Sequence, residues 1–317
     1  MKVSVYCFVY NHEKYLRDTL EGFVNQNTDF EYEVIVHDDA STDKSADIIK
    51  EYEKKYPQII KPIYQKENQH SKNVDIFKTF ILPRMTGEYV AACEGDDYWT
   101  DCEKLKRQID FLDNHREYSA CVHNTMMLNY FNKTENIMYP QIGDHDIPIA
   151  DLLVNGGYSY HTSSVVYRIQ YAKKRPDFFN KAKGYGDYPL AIYLGFSGKV
   201  RFLDYVMSTY RYGSENSWTV RMKKVTTDNQ YEGVVASKIE MLKAANEFSD
   251  YHYQNIINDA ISRHQYTLLE IKEDYKSMRK GIYRKYYLEE SLSRKMKLYF
   301  KSLFPGLYRF IVKQMNK

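Results

Sequence analysis

The sequence predicts an α/β protein built on a doubly wound, mostly parallel sheet flanked by helices, with a helical C-terminal extension. Three observations predict it. Short apolar runs alternate with segments of helical spacing through the first third of the chain, the pattern of parallel strands joined by crossover helices. Polar or acidic clusters, Tyr10-Asn11, Asp38-Asp39 and Asp96-Asp97, each follow a strand-like run, and ligands of open α/β sheets collect outside the carboxyl ends of strands. From Asp228 onward only helical spacing remains, through Val234, Val235, Ile239 and Leu242.

Residues 2–8 read as the first buried strand, because Val3, Val5, Tyr6, Cys7 and Phe8 are nearly continuous. Residues 13–26 carry helical spacing through Tyr15, Leu16, Leu20 and Phe23. Residues 32–37 form the second strand, and residues 44–55 a helix with Ile48, Ile49 and Tyr52 on one face. Residues 59–64 supply a third strand, 74–82 a helix and 88–93 the fourth strand. Another helix opens near Asp101. Further on, Val165-Val166-Tyr167 reads as a strand entered from His161-Thr162-Ser163-Ser164. Residues 189–196 form a helix with proline in its first turn. Residues 200–207 are strand-like, and 210–218 a polar, glycine-containing loop.

The segment Cys93-Glu94-Gly95-Asp96-Asp97-Tyr98-Trp99 organises the rest. Adjacent carboxylates at a strand end raise each other's pKa unless a cation or hydrogen-bond donors hold both ionised. A hard divalent ion, Mg²⁺ or Mn²⁺, suits such oxygens, above all one that also carries a diphosphate. The plainer alternative is that Asp96 and Asp97 cap the following helix. Asp38-Asp39 has the same two sides. Asp38 can brace the Ser41-Thr42-Asp43 turn, while Asp39 can accept from a base N–H or a ribose hydroxyl. No GxGxxG and no GxxxxGK[ST] occurs, which removes the support for dinucleotide-dependent dehydrogenases and P-loop NTPases.

Hydrophobic content of 43% and charged content of 27% are those of a globular protein. The 32 tyrosines are many; Tyr buries area yet keeps a polar contact, so they suit a paved surface or cleft. Cys7, Cys93, Cys102 and Cys121 form neither a CxxC pair nor a zinc spacing, which fits a reducing compartment. Met1 leads directly into a strand-like run with no signal peptide, and no apolar stretch approaches the roughly 20 residues that cross a bilayer. A cytoplasmic chain is expected. Net charge is only +3, but residues 291–317 hold Arg294, Lys295, Lys297, Lys301, Arg309, Lys313 and Lys317 with no Asp or Glu. Such a tail suits an anionic partner, nucleic acid or lipid headgroups. Met296, Tyr299, Phe300, Leu303 and Phe304 line one side of it and Arg294, Lys297 and Lys301 the other, before Pro305-Gly306. That amphipathic pattern suits a membrane interface; core packing or a dimer contact are the alternatives.

Four ordered motifs together resemble family 2 glycosyltransferases. They are Lys2-Val3-Ser4-Val5 with Tyr10-Asn11, Val34 through Asp43, Gly87-Glu88-Tyr89-Val90, and Glu94-Gly95-Asp96-Asp97-Tyr98-Trp99. Lys104-Leu105, Gln108 and Phe111-Leu112 continue the match, which covers about the first 120 residues. The resemblance implies the GT-A fold, a nucleotide-diphosphate sugar donor, and a role in bacterial cell-surface glycans. It implies that Phe8, Val9 and Tyr10 line the base and ribose pocket, that Asp39 binds the base (commonly uracil), and that Asp96 approaches the ribose. Asp97 would ligate Mn²⁺ or Mg²⁺. Lys72 would reach the nucleotide, unless it is a plain surface lysine.

Inverting transfer needs a base for the acceptor hydroxyl and a cation for the diphosphate. Asp187, after Gly184-Tyr185-Gly186 and at a helix start, matches the family's placement of that base; Asp177 and Asp204 are the reserves. His161 is a candidate contact to acceptor or phosphate. Arg211 would approach the diphosphate and Trp218 would stack on a sugar, in a loop that closes over the donor. The processive members' QxxRW is absent, so a single addition to a glycan or lipid-linked acceptor is expected. The predicted domains are a GT-A domain over 1–225, with a nucleotide-sugar half (1–120) and an acceptor half (121–225), and a helical region over 226–317. A nucleotidyltransferase is the rival enzyme, but it would bring a basic glycine-rich loop near its first strand. A nucleic-acid-binding protein would leave the carboxylate clusters unexplained, so no nucleic-acid partner is expected.

Overall fold

The computed structural model describes residues 1–183, 185–215, 217, 219–220 and 228–315; Trp218 lies outside them. The chain divides into two compact units, Met1–Pro176 with Asp187–Lys224, and Asp177–Gly186 with Val225–Lys317.

The first unit runs β1 (Val3–Val9), α1 (Leu16–Val24), β2 (Tyr32–Asp38), α2 (Ser45–Lys55), β3 (Ile60–Tyr64), β4 (Tyr89–Ala92), β5 (Tyr98–Trp99) and α3 (Lys104–Asn114). Then come β6 (Tyr118–Asn129), β7 (Thr134–Ile137), β8 (His145–Asp146), α4 (Ile149–Asn155), β9 (Val166–Arg168), α5 (Ile169–Lys173), α6 (Asp187–Ser197) and β10 (Lys199–Tyr212). The sheet order is β3-β2-β1-β4-β9-β6-β10-β5. β1 lies parallel to β2 and β4, β2 to β3, and β6 to β10. β9 is inserted antiparallel between β4 and β6. Strand order therefore reverses between β1 and β4, which opens a crevice at their carboxyl ends.

Burial explains why these segments are strands: every residue of β2 and of β4 is buried, as strands covered on both faces require. Helix α1 sets Leu16, Leu20 and Phe23 at zero exposure against the same core that receives Ile48, Ile49, Leu105, Ile109 and Leu112. No side chain caps α1. A missing cap costs about 1 kcal/mol, whereas burying each large apolar side chain contributes roughly 1.5–3 kcal/mol. Packing holds this helix.

Two predicted elements change. Residues 74–82 hold a π turn, Phe77–Ile81, followed by a 3-10 turn, Leu82–Arg84, because Pro83 has no N–H to continue an α-helix. Strand β10 runs on to Tyr212, so Tyr210, Arg211 and Tyr212 pair with Met127, Leu128 and Asn129 rather than opening a loop. Register shifts between Leu203 and Val206 and between Val206 and Ser208 break the alternation by which a strand is recognised.

In the second unit, helices Asp228–Phe248, Gln254–Ile271, Arg284–Glu289, Leu292–Leu303 and Pro305–Met315 follow one another. Tyr266, Tyr275, Met278, Tyr286 and Leu298 form a small core. Ser291 caps Leu292–Leu303, its Oγ accepting from Arg294 N at 3.2 Å. Leu292, Met296, Tyr299 and Leu303 recur at helical spacing on the outer side, 75%, 65%, 53% and 52% exposed. The tail is less uncompensated than its composition suggests, since Glu270 pairs with both Arg294 and Lys301. No helix among the described residues is long and apolar enough to cross a membrane.

Candidate functional site

Three strand ends meet in the crevice. Asp39 N donates to Val9 O and Gly95 N to Phe8 O, each at 2.9 Å, which fastens the segments after β2 and β4 to the end of β1. Gly95 is required by closeness and not by a turn. Its φ is not left-handed, but a Cβ there would lie 2.7 Å from His12 Nδ1 and 2.9 Å from Val9 Cγ2. Asn11 does adopt a left-handed φ of 57°. Its N–H donates to Ser41 Oγ at 2.9 Å, and its Oδ1 accepts from Thr42 N at 2.7 Å, which closes the turn after β1 onto the turn after β2.

Asp96 and Asp97 are 6% and 4% exposed. They do not cap a helix, because β5 follows them and α3 begins only at Lys104. Asp96 Oδ2 accepts from Ser214 Oγ at 2.8 Å, and Asp97 Oδ1 from Arg211 N at 2.9 Å. Thr19 Oγ1 donates to Asp97 O at 2.6 Å. Burial first, and the neighbouring Asp96 second, hold the Asp97 carboxyl well above the usual range against the opposing Arg211 N–H. Two carboxyls this dry, with so few donors, favour a cation. Among the described residues no three His, Cys, Asp or Glu side chains converge on one ion, so ligands from elsewhere must complete any coordination shell here. His161 Nε2 lies 3.7 Å from Asp97 Oδ2, its ring stacked on Tyr210 at 4.3 Å between centroids. Burial pulls His161 down to about 4 despite Asp96, so the imidazole is neutral near pH 7.

Arg211 is buried and engaged by the protein itself. Its Nη1 donates to Asp96 O at 2.9 Å, its Nη2 pairs with Asp18, and the guanidinium lies 4.3 Å from the Tyr98 ring centre. It shapes the Asp96–Asp97 turn from the end of β10. Asp39 accepts from Gln69 N at 2.7 Å and His70 N at 3.0 Å, holding the turn His70–Lys72 over the end of β2. Lys72 is exposed and paired with Glu67. Phe8 is partly exposed between Tyr6 (5.3 Å) and His37 (6.2 Å), Val9 is buried, and Tyr10 is exposed.

Asp187 opens α6, exposed, with its Oδ1 accepting from Tyr188 N at 2.8 Å. Its carboxylate lies against Gly157, where a Cβ would come within 2.1 Å of Oδ2. Gly156, at φ 54°, gives the same room to the Tyr188 ring, 2.0 Å from its would-be Cβ. Tyr6, Tyr139 and Tyr160 lie within electrostatic reach of Asp187; burial above all raises their phenols, and Asp187 adds to it. The hydroxyls of Tyr139 and Tyr160 are closed off from solvent and have no hydrogen-bond partner. Of the reserves, Asp177 sits on a short 3-10 helix, Asp177–Lys181, in the second unit. Asp204 accepts from Asn124 Nδ2 at 2.9 Å and Gly143 N at 2.8 Å, a bracing role.

Sequence reasoning missed the supports of the His161 turn. Trp99 Nε1 donates to Ser163 O at 2.8 Å, and Gln108 Nε2 to Ser164 O at 2.8 Å and Cys121 O at 2.7 Å. Lys104 Nζ in turn donates to Gln108 Oε1 at 2.8 Å and sits 4.0 Å from the Trp99 ring centre. Lys104 is fully buried, and burial pulls its ammonium down to about 7. A Lys–Gln pair one turn apart on the apolar face of α3 was the available signal. Thr19 and Ser214 had none.

Comparison with known proteins adds a family. The family model described as Glycosyl transferase family 2 matches residues 4–168, just over half of the chain. An uncharacterised protein of Mycobacterium tuberculosis is 34% identical over 220 residues, covering 68% of this chain and 60% of its own length. The poly(ribitol-phosphate) beta-N-acetylglucosaminyltransferase TarS of Staphylococcus aureus is 26% identical over 274 residues, covering 83% of this chain and 44% of its own. The chain thus spans about 60% of the length of the mycobacterial relative and less than half of TarS. The crystal structure of S. aureus TarS 1-349 in complex with UDP aligns with a TM-score of 0.57 at 19% identity, over 93% of this chain and 77% of that one, a likeness of fold.

Proposed function

This chain belongs to glycosyl transferase family 2 and has its GT-A fold, and on that premise we propose that it moves one sugar from a UDP-sugar to a hydroxyl of a glycan or lipid-linked glycan. The observation that carries this proposal is the buried Asp96–Asp97 pair beside the reversal of strand order. TarS is named an N-acetylglucosaminyltransferase and was solved with UDP, which supports uracil as the base here.

Phe8, Val9, Tyr10 and Asp39 take the base and ribose, with Lys72 beside them and Asp96 at the ribose. Asp39 receives two backbone N–H groups and keeps lone pairs for a base N–H. Asp97 would hold Mn²⁺ or Mg²⁺; when bound, the ion neutralises the charge that develops on the leaving diphosphate. Asp187 takes the proton of the acceptor hydroxyl as that oxygen attacks the anomeric carbon opposite the departing UDP, inverting its configuration.

Thermal melts test the donor assignment. A protein that binds UDP with Mn²⁺ gains about 2.7 kcal/mol at a hundredfold excess over Kd, a rise of about 5 °C or more for a domain of this size. GDP and ADP should give less. If no nucleoside diphosphate moves the melt, with or without Mn²⁺, the assignment fails.

An acceptor at an anionic membrane surface is supported by the exposed row Leu292, Met296, Tyr299 and Leu303, with Lys295 and Lys297 on the same helix. Apolar insertion and charge then act together. The full chain should co-sediment with phosphatidylglycerol vesicles and not with phosphatidylcholine vesicles, and Met296→Glu with Leu303→Glu should abolish it. Equal recovery with both lipids would count against this.

A further inference from the structure

We infer that the loop over residues 276–285 is a second point of membrane insertion, its tip residue Ile282 entering an anionic bilayer while Lys276, Lys280 and Arg284 stay at the lipid phosphates. This rests on the reading of the row Leu292, Met296, Tyr299 and Leu303 as facing such a surface, and adds a separate contact to it.

The loop is built to hold an isoleucine in solvent. Two 3-10 turns, Ser277–Arg279 and Gly281–Tyr283, follow one another before the helix Arg284–Glu289. Tyr275, Met278 and Tyr286 are buried in the small core on either side of the tip. Asp274 Oδ1 accepts from Ser277 N at 3.1 Å, Tyr283 OH donates to Gln265 Oε1 at 3.2 Å, and Tyr286 OH donates to Asp259 O at 3.0 Å. Between these anchors Gly281 takes a left-handed φ of 52°, which glycine adopts without strain. Ile282 is left 61% exposed, and the fastening of the loop at both ends keeps it there.

A lone exposed isoleucine is ordinary, but this one is not alone. Arg279 Nη2 donates to Ser302 Oγ at 3.2 Å, and its guanidinium lies 5.8 Å from the Tyr299 ring centre. The loop therefore adjoins the exposed row on the helix Leu292–Leu303, and Leu288, also exposed, lies between the two in the chain. Charge points to the same partner. Residues 276–285 hold Lys276, Arg279, Lys280, Arg284 and Lys285 with no Asp or Glu. Lys285 pairs with Asp259, whereas Lys276, Lys280 and Arg284 are exposed and enter no ion pair among the described residues. Uncompensated cations around an apolar tip match a surface whose phosphates lie just above hydrocarbon. A nucleic acid would instead call for an aromatic tip on which bases stack.

The test uses the full chain with vesicles of phosphatidylcholine alone or mixed in equal parts with phosphatidylglycerol. Ile282→Asp should lower binding to the mixed vesicles at least about tenfold, since it removes an inserted apolar side chain and adds a repelled charge. Lys280→Glu and Arg284→Glu should each lower it at least about fivefold, the effect of one cation near an anionic surface. All three side chains are exposed, so melting temperatures should not change. In Ile282→Trp, mixed vesicles should shift the emission to the blue and brominated lipid should quench it, beyond what Trp99 and Trp218 show in the unaltered protein. Unchanged vesicle binding by Ile282→Asp or by both charge variants, or an Ile282→Trp emission that mixed vesicles do not move, overturns the proposal. Binding that Met296→Glu with Leu303→Glu still abolishes would then leave the row as the contact. No binding of the unaltered chain to either vesicle removes both. Self-association that Ile282→Asp breaks while vesicle binding persists would make the loop a contact between copies, and the proposal falls.

Discussion

Asp187→Asn is expected to lower kcat by about 10²–10⁴-fold, the usual contribution of a positioned general base, while UDP-sugar affinity and melting temperature stay close to those of the unaltered protein. The asymmetry follows from what each atom does. Asp187 Oδ1 accepts the Tyr188 N–H, and an amide oxygen accepts it equally well, so the start of α6 is preserved. The helix is further held by Tyr188, Leu190, Ala191, Ile192 and Leu194, all buried. What the amide lacks is a basic lone pair for the acceptor's proton. Neither Asp204, occupied by Asn124 and Gly143, nor Asp177 offers an obvious substitute. In transition-state terms the loss is about 2.7–5.5 kcal/mol, and it belongs in kcat because the donor site is untouched. Steady-state kinetics with UDP release as readout decide the matter. Normal turnover by the folded variant would move the base to another residue.

Asp97→Ala is expected to remove the Mn²⁺-dependent part of the UDP-induced rise in melting temperature and to cost about 10²–10³-fold or more in turnover, as loss of a charge-stabilising group does. Asp97→Asn separates charge from shape. Its amide oxygen still accepts the Arg211 N–H, which would otherwise be stranded at a cost of about 1–3 kcal/mol. Replacing a buried carboxylate that lacks a full set of donors relieves desolvation, so metal-free Asp97→Asn should melt no lower than the unaltered protein while showing the same loss of Mn²⁺ response. Calorimetry with and without UDP and Mn²⁺ checks both. If Asp97→Asn keeps the full Mn²⁺ response, the ion is held elsewhere. If it melts well below the unaltered protein without metal, the carboxylate is a structural brace first.

These expectations stand on different ground. The Asp96–Asp97 pair was legible because an acidic dipeptide after the apolar run Tyr89-Val90-Ala91-Ala92 is a local signal. The reason for Gly95 was not, since its neighbours Val9 and His12 come from another strand end. Arg211 was expected near the diphosphate as a loop residue. Its place in β10 depends on two register shifts, and those depend on how β10 fits β6. His161 was visible only as a polar residue before a short strand, and nothing nearby in sequence announces that Asp97 faces it. The Asp38-Asp39 pair offered two readings, a turn braced by Asp38 or a ligand contact from Asp39, and in the fold the Asp39 carboxylate holds the Gln69–His70 backbone.

By itself the sequence determined the alternating strands and helices, the carboxyl-end clusters, the absence of glycine-rich phosphate loops and the family resemblance. All of these are carried by periodicity or by residues a few positions apart, because strand and helix faces repeat every two or 3.6 residues. Tertiary structure alone decided that β9 enters antiparallel between β4 and β6, that Arg211 N reaches Asp97, and that Gly157 makes room for Asp187. Contacts of that kind join segments far apart in the chain, and their geometry is settled by sheet register and close packing, which no short stretch of residues encodes.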